Sequence, residues 1–424
     1  MHDVAIVGAS IAGCAAAILF ARQGLSVALL ERETDPAAYK KICTHYIQPS
    51  ATATLERLGL ISAIEAAGGV PNHRTAFWTR WGWIHPPGMQ NAAQPITGYN
   101  IRRETFDPML RGLAANTPGV ALMPGHTARE LLKVGERVVG VRAQRAKTGD
   151  IEIRARLLVA ADGRNSRVAE LAGVAAKQKK HGRFAYFAYY RGLPQAGSGL
   201  SQIWFREPDI AYSFPNDNDQ TLLAVMPVHA KLEAWKSDTE TNFVTLFASL
   251  PAAPAIREAE RISPFLGLLQ MPNQSRSVVQ AGLASIGDAA LAADPVWGVG
   301  CGWALQSAEW LVDCTAEALT RGCDLDAPLA AYRQRHRRQL AGHAFLIADF
   351  ASGRGFNPLE KLMISAAARD PVCAAHFVAF GGRTISVAQF LAPSALARAM
   401  CVNIGHLTGR AAMHLRRQAS DRHV

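Results

Sequence analysis

The amino terminus constrains this chain more than any other stretch. Residues 4–7 are a short unbroken apolar run, the pattern of a strand buried on both faces of a parallel sheet. Gly8, Ser10 and Gly13 then turn the chain, and residues 11–24 carry helical patterning that stops at a glycine. A second apolar run, residues 26–30, ends at Glu31. Strand, glycine turn, helix, strand and acid in this order make a dinucleotide-binding unit. Gly8 permits the turn and Gly13 lets the helix approach the strand. The amide groups of Ile11, Ala12 and Gly13 at the helix start suit a pyrophosphate. Ser10 replaces the usual middle glycine; it is small and can donate a hydrogen bond. Glu31, with Arg32 beside it, suits a free ribose hydroxyl, which favours FAD or NAD over NADP.

The rest of the composition limits the alternatives. A chain of 424 residues, 49% of them hydrophobic, is large enough for two or three packed units and too apolar for disorder. Its seven cysteines include no C-x-x-C pair, which argues against a disulfide framework or a zinc site and fits a reducing, cytoplasmic setting. The net charge of +11 is spread out, with dense patches only at residues 177–181 and 333–338. No nucleic-acid recognition motif accompanies them, so both read as solvated faces, with docking to an acidic carrier protein as the minority reading. Residues 4–21 are uncharged and long enough to mimic a membrane span. Asp3 before them, Arg22 after them and the glycine pattern within point instead to a buried strand and helix, and no integral membrane span is expected.

Two later segments repeat the strand-then-turn pattern. Apolar residues 157–161 run into Asp162-Gly163, and residues 284–286 run into Gly287-Asp288. Pro295, Gly298, Val299 and Gly300 follow, opening a helical stretch through residue 311. Here the chain resembles the FAD-dependent aromatic hydroxylases, the single-component flavoprotein monooxygenases with the para-hydroxybenzoate hydroxylase fold. The resemblance implies an α/β fold: a Rossmann-like FAD-binding domain of the GR2 type, its mixed sheet topped by a three-stranded cover. An antiparallel β-sheet substrate domain interrupts it, and a helical C-terminal tail follows. The expected division is 1–75, 98–181 and 277–330 for FAD, 76–97 and 182–276 for substrate, and 331–424 for the tail.

The same resemblance implies roles. Asp162 and Gly163 would touch the flavin nucleotide and a transiently bound NAD(P)H. Asp288, after Gly287, would hold the ribityl hydroxyls. Residues 295–300 would lay a helix start against the flavin ring, where the partial positive charge favours the reduced, anionic form. Arg103 and Thr127 would contact the nucleotide, Lys41 would reach its phosphates, and His45 would face ring or substrate. Leu291 departs from the family, which often carries histidine there, and so puts any proton relay at that position in doubt. No second dinucleotide unit follows, in keeping with a nicotinamide donor that has no domain of its own.

Between the two later motifs the pattern changes to successive strands, at residues 183–192, 202–205, 210–214 and 221–228, with a turn at 215–218 and a helix over 233–250. Aromatic residues concentrate there and at 77–83. Trp78, Trp81, Trp83, Tyr186, Trp204, Tyr212 and Trp297 are candidates for an apolar substrate pocket. Residues 81–86 look like the W-x-W-x-I-P signature of flavin-dependent halogenases, but His85 replaces the isoleucine and the run lies too early in the chain. Chance similarity is the better reading.

The implied reaction is oxygenation of a small, electron-rich, secondary-metabolite-like aromatic by NAD(P)H and O2 through a flavin hydroperoxide. His45 and Asp294 are the candidates for a general base. The competing readings are a flavin-dependent reductase of unsaturated lipids, a halogenase, and a non-catalytic flavoprotein that sequesters an intermediate.

Overall fold

The computed structural model describes residues 1–73, 75–85, 97–145, 149–193 and 200–420, with side chains through 408. Strand His2–Val7 lies between Val27–Glu31 and Gly149–Ala160 and is parallel to both. The sheet continues through Val120–Pro124 on one side and Leu283–Ser285 on the other, with Val279–Gln280 antiparallel at its edge. Helix Ile11–Ala21 is buried along its whole length, which accounts for the membrane-like run near the amino terminus. It stops before the expected glycine, and Gly24 makes the following turn at φ +81°.

Strand Gly149–Ala160 belongs to two layers. Its first half alternates between exposed and buried residues and pairs antiparallel with Arg137–Arg145, which pairs in turn with His126–Val134. Its last four residues are all buried and join the parallel sheet. The change from alternating to continuous burial marks where the three-stranded cover becomes the core.

A second sheet runs in the order Glu260–Arg261, Ala185–Arg191, Gln220–Met226, Asp209–Asn216, Ser201–Arg206, Thr75–Thr79, Gly82–Ile84. The expectation of an antiparallel sheet needs one correction: Thr75–Thr79 pairs parallel with Ser201–Arg206, because it arrives from a separate stretch of chain. The expected turn also moves. Asp209–Asn216 runs on past Pro215, and Asn218 and Asp219 make the turn with φ of +57° and +53°, the two left-handed residues of a tight hairpin. The predicted helix over 233–250 is two, Leu232–Ser237 and Thr239–Ala248, because the Asp238 carboxylate accepts from Thr241 N–H and caps a new start.

Both faces of this sheet are covered, and successive residues sort between them. Tyr186, Trp204 and Val225 pack with Trp235, Phe243 and Phe247 of the two helices. Phe187, Ile203, Phe205, Tyr212 and Phe214 join the core that the sheet shares with the nucleotide unit. Asp217, fully buried in the hairpin, ties the units together: it accepts from Arg102 N–H at 2.8 Å and from Thr105 Oγ1 at 2.5 Å.

The tail folds as helices Asp326–Phe350, Pro358–Ala367, Pro371–Gly381, Val387–Phe390 and Pro393–Ser420. Phe350 and Phe377 bring it onto Phe205 and Phe77 of the second sheet. Within the tail, Val387–Thr408 is long and apolar enough to cross a membrane by length and composition, and most of it is exposed.

Candidate functional site

Two glycines of the first turn are fixed by close approach. A Cβ on Gly13 would lie 1.8 Å from the Gly8 carbonyl oxygen, and one on Gly8, at φ +104°, would lie 2.6 Å from that of Ala161. Ser10 caps helix Ile11–Ala21 through its backbone alone, so no side chain takes the first amide groups. Its hydroxyl accepts from Arg103 Nη2 at 2.7 Å, and Arg103 also holds Asp107 through bonds of 2.6 and 2.8 Å. Arg103 therefore stands at the helix start, within the expected nucleotide site. Glu31 accepts from the amides of Ala9 and Glu33, at 2.8 and 3.0 Å, and keeps lone pairs for a ribose. Arg32 is exposed and pairs with Glu33. Thr127 opens a strand beside this acid, where Gly125 N–H donates to the Glu33 carbonyl.

The later motifs converge on the same turn. A Cβ on Gly287 would sit 2.9 Å from that of Ala12. Asp288 follows it, and Lys40, not Lys41, reaches it at 3.0 Å. Burial works to raise the Asp288 carboxyl, and the Lys40 ammonium, together with the charges of Arg164 and Arg103, more than offsets it, leaving the group below its usual range. Lys41 is exposed. The sequence expectation put Lys41 at the phosphates; the structure pairs its neighbour Lys40 with Asp288, and the backbone path decides which of the two adjacent lysines makes that pair. Asp162 is engaged by its own chain, accepting from Ser166 Oγ at 2.5 Å and Val168 N–H at 3.0 Å, with Gly163 beside it at φ +84°.

Helix Gly300–Thr320 starts without a side-chain cap after Val299, and a Cβ on Gly300 would meet nothing within 4 Å. Gly300 is exposed, so the uncapped start of this helix is open to a ligand. Pro295 opens the turn before it, and Gly298 lies on Tyr46 at φ +61°. Cys301 in its first turn lies 3.8 Å, sulfur to sulfur, from Cys43, a pairing across 258 residues that no spacing rule anticipates.

The two candidate bases differ: both ring nitrogens of His45 are engaged, whereas Asp294 has one oxygen engaged. His45, in a left-handed conformation at φ +59°, accepts from Arg103 N–H on Nδ1 at 2.9 Å, so Nε2 carries the proton and donates to the Tyr189 hydroxyl. Burial holds its pKa below the ordinary histidine value, in keeping with this neutral clamp. Asp294 is fully buried; Oδ1 accepts from Val296 N–H at 2.8 Å and Oδ2 has no partner among the described residues.

Burial pushes the Asp294 carboxyl up to about 6, against the pull of Arg183. Because the folded value is raised, its contribution to stability is full below the unfolded value and is lost as pH climbs through 6. Asp294→Asn, which keeps the Val296 acceptor, should escape that loss. Between pH 4 and 7 its unfolding free energy should gain about 3 kcal/mol on the parent in chemical denaturation. Parallel pH profiles would show that Asp294 ionises without penalty.

The aromatic candidates separate. Tyr212, Trp297 and Trp81 border the core shared with the nucleotide unit; Tyr212 donates to the Val296 carbonyl at 2.6 Å, and Trp297 lies 5.4 Å from Phe205. Trp78, Trp83, Tyr186 and Trp204 belong to the opposite face under the two helices, where Trp204 Nε1 donates to the Pro251 carbonyl. The structure does not bring these four to the nucleotide side. Pro86, the last residue of the halogenase-like run, lies outside the described residues.

Known proteins share the family and the fold. A family model described as an FAD binding domain matches residues 1–344. The chain is 25% identical over 353 residues to a 1H-pyrrole-2-carbonyl-[peptidyl-carrier protein] brominase of Pseudoalteromonas luteoviolacea, covering 78% of this chain and 81% of that one. To the 3-demethoxyubiquinol 3-hydroxylase of Escherichia coli it is 24% identical over 349 residues, 76% and 81% of the two chains. A third match, 34% identical over 181 residues, is to a probable electron transfer flavoprotein-quinone oxidoreductase of E. coli; it covers 41% of this chain and only 38% of that protein. Among solved structures, a flavoprotein/dehydrogenase from Cytophaga hutchinsonii superposes with a TM-score of 0.80 at 16% identity, over 95% of this chain and all of the other. A probable FAD-dependent monooxygenase from Pseudomonas aeruginosa gives 0.68 at 17%, over 89% and 99%. With the glycine turn, the Asp288 pair and the uncapped second helix gathered at one place, and a family model spanning them all, this chain belongs to the FAD-binding flavoprotein family that includes the single-component aromatic hydroxylases.

Proposed function

We propose that the chain is an FAD-dependent monooxygenase that uses NAD(P)H and O2 to oxygenate a small, electron-rich aromatic compound, with the sequence divided into the flavin, substrate and tail regions given above. The observation that carries this reading is the wall formed by Phe205, Tyr212 and Trp297. It belongs to the same core as the flavin motifs, and the tail helices close over it.

The residues fit FAD. Helix Ile11–Ala21, with Ser10 and Arg103 at its start, would hold the pyrophosphate; Glu31 would take a ribose and Asp288 the ribityl chain; the open start of helix Gly300–Thr320 would face the ring. Bound there, FAD supplies hydride acceptance and dioxygen activation. The chain supplies placement and dryness. For Asp288 to take the ribityl hydroxyls, Lys40 would have to release it. His45 fixes Tyr189 through its Nε2 proton, and the Tyr189 hydroxyl offers the substrate a donor on the nucleotide side of the sheet. The apolar wall excludes water from the substrate.

A second reading, halogenation of a substrate tethered to an acidic carrier, draws on the brominase relative and on the exposed basic strand Lys177–Lys179. One experiment separates the two. A panel of free aromatics is screened for stimulated NAD(P)H oxidation, and labelled O2 is followed into the product. Label in the product supports the monooxygenase. A halogenated product that needs bromide and a carrier-bound substrate supports the alternative. Tight ligand binding with no stimulated oxidation by any of them would leave a sequestering flavoprotein.

A further inference from the structure

Arg383 lies two residues beyond helix Pro371–Gly381, in a left-handed conformation at φ +62° that arginine rarely adopts. Its guanidinium is turned inward, 5.2 Å from the Trp297 ring centre and 5.1 Å from that of Phe380. Nη1 donates to His343 Nδ1 at 2.8 Å and, at 3.4 Å, to the Phe380 carbonyl. Nε and Nη2 are buried and have no partner among the described residues. His343 cannot balance the charge: burial and Arg383 itself push it down to about 3, so it is neutral.

Arg183, which is fully buried, gives the contrast. Its Nε, Nη1 and Nη2 all donate to carbonyls, of Pro208, Phe350 and Arg354. A guanidinium stripped of water is normally satisfied in this way or paired with a carboxylate. Arg383 has neither. A further orphan lies where the chain passes residue 382: Ser50, whose amide donates to the Gly382 carbonyl at 3.2 Å, has a buried hydroxyl with no partner among the described residues.

We propose that Arg383 is the receptor for a small monoanion, a carboxylate or a halide, bound against the Trp297 side of the aromatic wall. The free N–H groups on Nε and Nη2 and the Ser50 hydroxyl supply donors, and the surrounding rings supply the low dielectric in which one charge pair is strong. A single guanidinium with no second cation beside it among the described residues selects one negative charge over two. Burial holds Arg383 down at about 9, the sign of a cation without its counter-charge. That the anion is the substrate's own carboxylate rests on the monooxygenase reading; that a monoanion binds does not.

The test uses resting, FAD-loaded protein in sulfate buffer, so that turnover plays no part. Sodium benzoate and sodium bromide are titrated separately, with thermal midpoint and flavin absorbance as readouts. At least one probe should bind saturably, and Arg383→Met should weaken it tenfold or more, with Arg383→Lys in between. Benzoate alone points to a carboxylate of the substrate, bromide alone to a halide, and both to a shared monoanion site. Failure of both probes on the parent protein overturns the proposal, as does binding by Arg383→Met within twofold of the parent. Should that variant not fold, parent crystals soaked with the probe that bound, bromide itself or 4-bromobenzoate in place of benzoate, decide by anomalous scattering: the anion at Nε and Nη2 supports the site, and the anion only elsewhere overturns it. Absent NAD(P)H oxidation with anion binding intact would instead count against the monooxygenase alone.

Discussion

Gly13→Ala will yield a protein that cannot hold FAD. The added methyl would lie 1.8 Å from the Gly8 carbonyl oxygen and 3.3 Å from Ala161 Cβ, so helix Ile11–Ala21 has to move away from the strand it packs on. Overpacking against side chains costs about 1–3 kcal/mol, and a backbone oxygen yields less readily, so the cost here sits at or above that range. Displacing the helix start also misdirects the amide groups meant for the pyrophosphate. A loss of about 3 kcal/mol there lowers flavin affinity roughly a hundredfold or more. The purified variant should be colourless and take up no FAD on reconstitution. A yellow protein with the parent's flavin content and melting temperature would mean that the close approach at Gly13 is not what shapes the nucleotide site.

Arg103→Met should be the most damaging single change to a charged residue. Its guanidinium bonds Asp107 twice and Ser10 once, and the Arg103 and Asp107 side chains are 5% and 1% exposed. Without it, the buried Asp107 side chain keeps just the Lys40 amide, at 3.1 Å, as a hydrogen-bond partner among the described residues. Breaking a buried pair from one side costs about 3–5 kcal/mol, whereas replacing both partners by apolar residues is often neutral. Denaturant unfolding should therefore show Arg103→Met far below the parent, and Arg103→Met/Asp107→Leu should recover most of the difference. Flavin retention should fall in both, because Ser10 has lost its donor either way. A double variant no more stable than the single one would show that the carboxylate is not the source of the loss.

Parts of this site can be read in one dimension because their physics is local. The unbroken apolar run before Gly8 is visible because that strand is covered on both faces; the switch from alternating to continuous burial within Gly149–Ala160 is of the same kind. Asp288 is legible from its place one residue after Gly287, at the end of an apolar strand. The aromatic residues were harder. Trp204 and Phe205 are neighbours in one strand and point to opposite faces, but both faces are buried. No polar alternation marks which face meets the nucleotide unit, so the sequence cannot sort them.

What the sequence alone determined is the dinucleotide fold and the order of the segments that build the site. Short-range rules set these: the period of burial, glycine where two backbones must nearly touch, free amides where a helix begins. Only the tertiary structure decided which side chains meet. Lys40 rather than Lys41 on Asp288, Cys43 beside Cys301, His45 clamped between Arg103 and Tyr189, and Arg383 turned onto Trp297 all depend on backbone paths from distant parts of the chain. Spacing along the chain carries no trace of such encounters, because packing, not sequence separation, sets the distance between residues that far apart.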